Sequence, residues 1–221
     1  MGWLRQTLHS SVGGKFIVAV TGLALVGFIV AHLSDNLLIF SGPDAIDGFA
    51  ETIHSYTKLL WTLRIGLLVA AVLHIGFAVK LNLQSKAARP QAYQKKQYVE
   101  APFTSRSMLL TGLLILFYIL FHLAQFTFRV TSPELQSLGP YDVYRMLVYS
   151  FSNPAVALLY ILAMIVLGMH LSHGISSLFQ SLGWNHKKYN KVIRLLGPVL
   201  GTLLALGYIS IPVAIQLGLL K

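Results

Sequence analysis

Five apolar runs, at about 16–40, 59–83, 107–130, 155–180 and 195–219, leave this chain few ways to fold. Each reaches the ~20 residues that cover the hydrocarbon core of a bilayer. No water is present there to satisfy backbone N–H and C=O groups, so each run must close its hydrogen bonds within itself, as a helix. The pattern predicts an all-α integral membrane bundle of five transmembrane helices, with 1–221 as a single membrane domain. Only 11% of the 221 residues are charged, against roughly 25% in a soluble domain. The connections therefore have no room for a substantial soluble domain.

The charges orient the bundle. One side collects Arg5, Lys15, Lys80, Lys86, Arg89, Lys95, Lys96, Arg106, Lys187, Lys188, Lys191 and Arg194, with Glu100 as its one acid. The other side holds five basic residues (Lys58, Arg64, Arg129, Arg145, Lys221) against six acidic ones (Asp35, Asp44, Asp47, Glu51, Glu134, Asp142). Basic loops stay in the cytoplasm. The expected topology has the N-terminus cytoplasmic and the C-terminus outside, in a multi-pass protein of the cell's inner (cytoplasmic) membrane. The net charge of +10 is then a property of cytoplasmic loops facing lipid, and no nucleic acid is expected. The first run is too long for a cleaved signal peptide and shows no clear cleavage site. The chain has no cysteine, which excludes disulfides, covalent c-type haem and cysteine-held iron–sulfur clusters.

The outer connections at 44–58 and 141–151 mix aromatic and polar residues and suit short helices in the interface. Asn153-Pro154 reads as a cap and first turn for the fourth span. The fifth span has no ionisable group but carries Gly197, Pro198, Gly201, Gly207 and Pro212, as a kinked packing helix would. No internal repeat is apparent.

Four histidines, His32, His74, His122 and His170, fall one in each of the first four spans. His32 is 16 residues past Phe16 and His122 is 14 past Met108; at about 1.5 Å per residue both are roughly 21–24 Å from the inner edge. His74 and His170 each lie 15 residues into spans that run the opposite way, which sets them roughly 22 Å from the outer edge. Two levels result. Ionisable groups inside a bilayer are costly and tend to be functional. Two facing neutral imidazoles suit the axial positions of haem iron. This spacing predicts two b-type haems, the outer on His32 and His122 and the inner on His74 and His170. His173, three residues further along the fourth span, is an alternative inner ligand. Gly27, Ala70, Gly76, Gly168 and Gly174 are small enough to admit a flat macrocycle. Arg64 and Arg129 are candidates to pair with the outer haem's propionates, which need compensation in a low dielectric; the alternative is snorkelling to the headgroups.

These residues resemble the di-haem cytochrome b membrane-anchor subunit of succinate dehydrogenases and fumarate reductases, the succinate:quinone oxidoreductase family. The matching features cover nearly the whole chain. They are Ser11-Val12-Gly13-Gly14-Lys15, Thr21-Gly22-Leu23 running to Ala31-His32-Leu33, one histidine in each of four spans, and His170-Leu171-Ser172-His173-Gly174 followed by Gly183-Trp184. In that family the ligand precedes such a glycine by four residues and the glycine precedes the next by nine. Gly174 and Gly183 have this spacing, so the resemblance favours His170 over His173. It implies a flavoprotein subunit with FAD and an iron–sulfur subunit on the cytoplasmic face, with the succinate/fumarate chemistry on the partner. It also implies a quinone as electron acceptor, with menaquinone the type that two haems point to. Quinone candidates are Asp35, Glu51, His54 and Tyr56 at the outer side, or His9, Ser10, Ser11 and Arg106 at the inner side. The competing readings are the cytochrome b subunit of another respiratory enzyme, such as nitrate reductase, and a haem-free transporter. The transporter would more usually show broken helices around its midplane site.

Overall fold

Several helices of the computed structural model begin at a capping side chain or a proline in the first turn. The structure describes Gly2, Gln6, residues 10–88 and residues 103–221. Helix α1 (Ser11–Asn36) starts where the Ser10 hydroxyl oxygen accepts from Gly13 N–H at 3.0 Å. That cap explains why the helix begins five residues ahead of the apolar run. A 3-10 turn (Leu37–Ser41) extends it, and Gly42, at φ +97°, turns the chain in a conformation that favours glycine. Pro43 then opens α2 (Pro43–Ser55). The rest follow as α3 (Thr57–Ala87), α4 (Phe103–Arg106), α5 (Met108–His122), a π-turn (Leu123–Thr127), α6 (Pro133–Ser137), α7 (Val143–Ser152), α8 (Pro154–Ser181) and α9 (Asn190–Gln216). Asn153 caps α8 as expected, its Oδ1 accepting from Ala155 N–H at 2.9 Å. No strand occurs among the described residues.

Five segments are long and apolar enough to cross a membrane: Ser11–Ser41, Thr57–Ala87, Met108–Thr127, Pro154–Ser181 and Asn190–Gln216. The protein is an all-helical, multi-pass membrane protein. Short helices α2 and α7 form in the two connections expected to hold them. They are bound together where Asp47 Oδ1 accepts from Tyr144 N–H, in the first turn of α7, at 2.9 Å. The two ends of the bundle differ. A basic end carries Lys15, Lys80, Lys86, Arg106 and the 187–194 cations; the far end carries α2, α6 and α7.

Helix α1 lies between α3 and α8, and α5 lies against α8 and touches α3 lightly. This makes a four-helix ring with α1 and α5 on one diagonal and α3 and α8 on the other. Helix α9 stands outside the ring, along α8. Lipid is as apolar as leucine, so spans associate through close van der Waals packing rather than a hydrophobic drive. Small residues supply it here. A Cβ built on Gly201 would lie 2.7 Å from Gly168 O, one on Gly197 would strike Ser172 O, and one on Gly168 would meet Ala205 Cβ at 3.1 Å. This corrects the expectation for Gly168, whose missing side chain serves the α8–α9 contact. Tyr208 of α9 also donates to Ile29 O of α1 at 2.7 Å.

Candidate functional site

His32 on α1 and His122 on α5 meet across one diagonal, near the far end. Their ring centroids are 5.9 Å apart and their planes lie at 82°. Two imidazoles that share one iron at about 2 Å per bond have centroids about 6 Å apart, so this separation suits axial ligation. Phe28 stacks on His32 at 5.2 Å, one helical turn before it. Tyr118, Phe126 and Tyr160 surround His122 at 5.8, 5.4 and 6.0 Å.

His74 on α3 and His170 on α8 occupy the other diagonal, nearer the basic end. The His74 Nδ1 lies 3.1 Å from Val18 O and 3.4 Å from Thr21 Oγ1. The His170 Nδ1 lies 3.0 Å from Thr111 Oγ1. These contacts fix the levels without reference to a membrane. Thr21 is eleven residues before His32 and Thr111 eleven before His122, which separates the two imidazole pairs by about 16 Å along the helices.

The oxygens beside each Nδ1 bear on which ring nitrogen is free. Thr21 donates to Ile17 O at 2.6 Å and Thr111 to Ser107 O at 3.0 Å. Tyr160, 3.3 Å from the His122 Nδ1, donates to Gln125 Oε1 at 2.7 Å. A hydroxyl oxygen whose own proton is committed can accept from a neighbouring Nδ1–H, as Val18 O can from His74. In that tautomer the lone pair of His74, His122 and His170 is on Nε2. Metal-bound histidines are held in this way, with the other nitrogen donating to a fixed acceptor that sets the tautomer and raises ligand basicity. His32 differs: Asn36 Nδ2 lies 3.4 Å from both ring nitrogens and donates to His32 O at 2.6 Å.

Among the described residues no three His, Cys, Asp or Glu side chains converge as metal ligands would. Two facing imidazoles are a donor set that an iron held in a macrocycle would take. Gly22 and Gly112 support this donor set. A Cβ on Gly22 would sit 3.2 Å from His74 Cε1, and one on Gly112 3.5 Å from His170 Cε1.

Superposing these contacts on the sequence reveals an internal repeat, where none was apparent. Thr21-Gly22-Leu23, Phe28-Ile29 and His32-Leu33 match Thr111-Gly112-Leu113, Tyr118-Ile119 and His122-Leu123 at identical spacing. His74 and His170 are each followed at ten residues by Gln-Ser, at Gln84-Ser85 and Gln180-Ser181. The α1–α3 and α5–α8 hairpins are thus equivalent units, and each Thr-Gly pair touches the histidine of its own hairpin. Thr111, Gly112, Tyr160 and Gln125 are the site residues that sequence reasoning missed. The repeated Thr-Gly-Leu-x8-His pattern would have found the first two.

The remaining candidates sit as follows. His173 is half-buried on α8. Arg64 is exposed and stacks over Trp61 of its own helix at 5.4 Å. Arg129, at φ +56°, donates to Leu138 O at 2.9 Å and so closes the loop before α7. Asp35 is half-buried at the end of α1. His54 is half-buried, with its Nδ1 2.7 Å from Ala50 O and its ring 5.2 Å from Tyr141, while Glu51 and Tyr56 are exposed. Ser10 caps α1, Ser11 is exposed, and Arg106 lies over Phe103 at 6.0 Å. His9 lies outside the described residues. No protein-family model, curated protein or solved structure matches the chain.

Proposed function

We propose that this chain is the cytochrome b membrane anchor of a succinate:quinone oxidoreductase and holds two b haems. One observation carries the reading: two diagonal imidazole pairs at two levels, with an oxygen beside the Nδ1 of three of the four imidazoles, which suits ligation through Nε2. When bound, the haems supply one-electron transfer through a span that charge cannot otherwise cross. His32 and His122 hold the far-end group, and His74 and His170 hold the basic-end group. Thr111 supports His170 as Thr21 supports His74, and this equivalence favours His170 over His173. The surrounding helices shield the rings from water.

The basic end is the cytoplasmic one in this reading, by the positive-inside rule. There Lys15, Lys80, Lys86, Arg106 and the 187–194 cations receive an iron–sulfur subunit and, through it, the FAD flavoprotein that oxidises succinate. Electrons then pass to quinone, with menaquinone the type two haems favour. Crossing the membrane has a purpose only if an acceptor reacts at the far end, so His54, Glu51, Tyr56 and Asp35 remain the preferred quinone residues. His54 stands half-buried against Tyr141 there. The test is purification of the intact assembly from membranes. Succinate should reduce two b-type spectral components that co-purify with a flavoprotein. A b-type spectrum that succinate leaves oxidised would move the chain to another respiratory enzyme, and no haem at all would remove the cytochrome reading.

A further inference from the structure

The two histidines of the far-end pair occupy equivalent places in the repeat but have different surroundings. His32 has Asn36, a donor, beside its ring. His122 has a three-member chain: its Nδ1 faces Tyr160 Oη, and Tyr160 donates to Gln125. Both members are almost fully enclosed, Tyr160 at 5% and Gln125 at 3% exposure. An amide and a phenol are expensive to bury unless they are hydrogen-bonded. The backbone is also bent to reach them. Directly after His122 the helix widens into a π-turn, and Phe128 N–H reaches back five residues to Leu123 O at 2.8 Å. Single π-turns of this kind recur at functional sites. The equivalent segment after His32 instead passes into a 3-10 turn and has no buried amide.

We infer that Tyr160, oriented by Gln125, is a positioning residue for His122. It holds the imidazole proton on Nδ1 and makes Nε2 more electron-rich, and so sets the properties of the far-end haem alone. This rests on the cytochrome reading above. Gln125 takes the phenol proton, which leaves the phenol oxygen as an acceptor. Without Gln125 the phenol proton is free to turn, and the phenol oxygen is no longer held as an acceptor against Nδ1–H, which weakens the bond. A more basic axial ligand favours ferric iron, so weakening the chain should raise the far-end potential.

The experiment is a redox titration, with low-spin ferric EPR, of the purified haem-loaded protein and of Tyr160→Phe and Gln125→Met. Tyr160→Phe keeps the ring packing against Phe126 and Phe151 and removes only the hydroxyl. The far-end component should move to higher potential in both variants, with an altered EPR signal, while the basic-end component stays in place. Thr111→Val serves as the opposite control and should move only the basic-end component. A purely structural tether would lower the unfolding temperature and leave both potentials and both EPR signals unmoved, which would overturn the inference. Should Tyr160→Phe fail to assemble, an unmoved far-end component in Gln125→Met would overturn it equally. Two haems in the parent protein with no shift in the variants would refute this inference and spare the cytochrome reading. No haem in the parent protein would refute both.

Discussion

A single hydroxyl stands against the Nδ1 of His170. Thr111 donates to Ser107 O, and its oxygen is placed to accept from Nδ1–H. Thr111→Val keeps the shape and removes the acceptor. Losing such a partner typically weakens metal binding roughly 10–100-fold, so the basic-end haem should pass faster to an apo-haem scavenger, while Thr111→Ser should retain it. Equal loss rates in Thr111→Val and the parent would deny Thr111 this role. The histidines themselves could be read from sequence, because a histidine deep in each of four apolar runs stands out and helical rise converts position into depth. Their supports could not be read so directly. A threonine within an apolar helix commonly bonds its own preceding turn, as Thr21 and Thr111 both do, and only the neighbouring helix shows the second role. A different residue-scale effect concerns Glu134. Its carboxyl is held below the usual range by its own backbone N–H and then by Tyr149, which donates to it at 2.9 Å. A depressed carboxyl contributes stability above its ordinary value of 4.5 and loses it as the pH falls through the lower folded value. Amide protection factors over α6 and α7, corrected for the intrinsic exchange rate, should therefore fall on acidification, and Tyr149→Phe should flatten that dependence.

At the scale of elements, helix boundaries and helix faces differ in how openly the sequence states them. Asn153-Pro154 announces the start of α8, and the chain obeys. Asn153→Ala should cost about 1 kcal/mol of helix stability through the lost cap, read as earlier thermal unfolding in detergent. The glycines of α8 and α9 were harder to assign, because a small residue in a span serves a macrocycle and a neighbouring helix equally well. Gly168 proved to face Gly201 and Ala205. Gly201→Val places two methyls and a Cβ against Gly168 O, where the backbone cannot yield. Overpacking costs typically 1–3 kcal/mol, and α9 should peel from α8 as a result. Disulfide trapping between cysteines placed on the two helices should fall in this variant and persist in Gly207→Ala, whose neighbour is the flexible side chain of Leu33. Equal trapping in both would show that Gly201 is not the contact. The π-turn after His122 had no sequence signal; it becomes intelligible only once Gln125 is seen bonded to Tyr160 on another helix.

For the whole molecule, the five spans follow from composition, but their arrangement does not. Apolar periodicity cannot choose a neighbour when every face meets lipid. Depth alone paired His32 with His122 and His74 with His170, and the ring of four helices places each pair on its own diagonal. The repeat accounts for that arrangement. Two equivalent hairpins bring like helices, α1 with α5 and α3 with α8, to opposite corners, and α9 completes one side only. The measurement that bears most directly on the central claim is haem content and the reduced-minus-oxidised spectrum across the four single His→Ala variants. The parent should carry two b haems per chain. His32→Ala and His122→Ala should lose one and the same spectral component, and His74→Ala and His170→Ala should lose the other. Loss of one common component from His32→Ala and His74→Ala, or a parent protein without haem, would contradict the account.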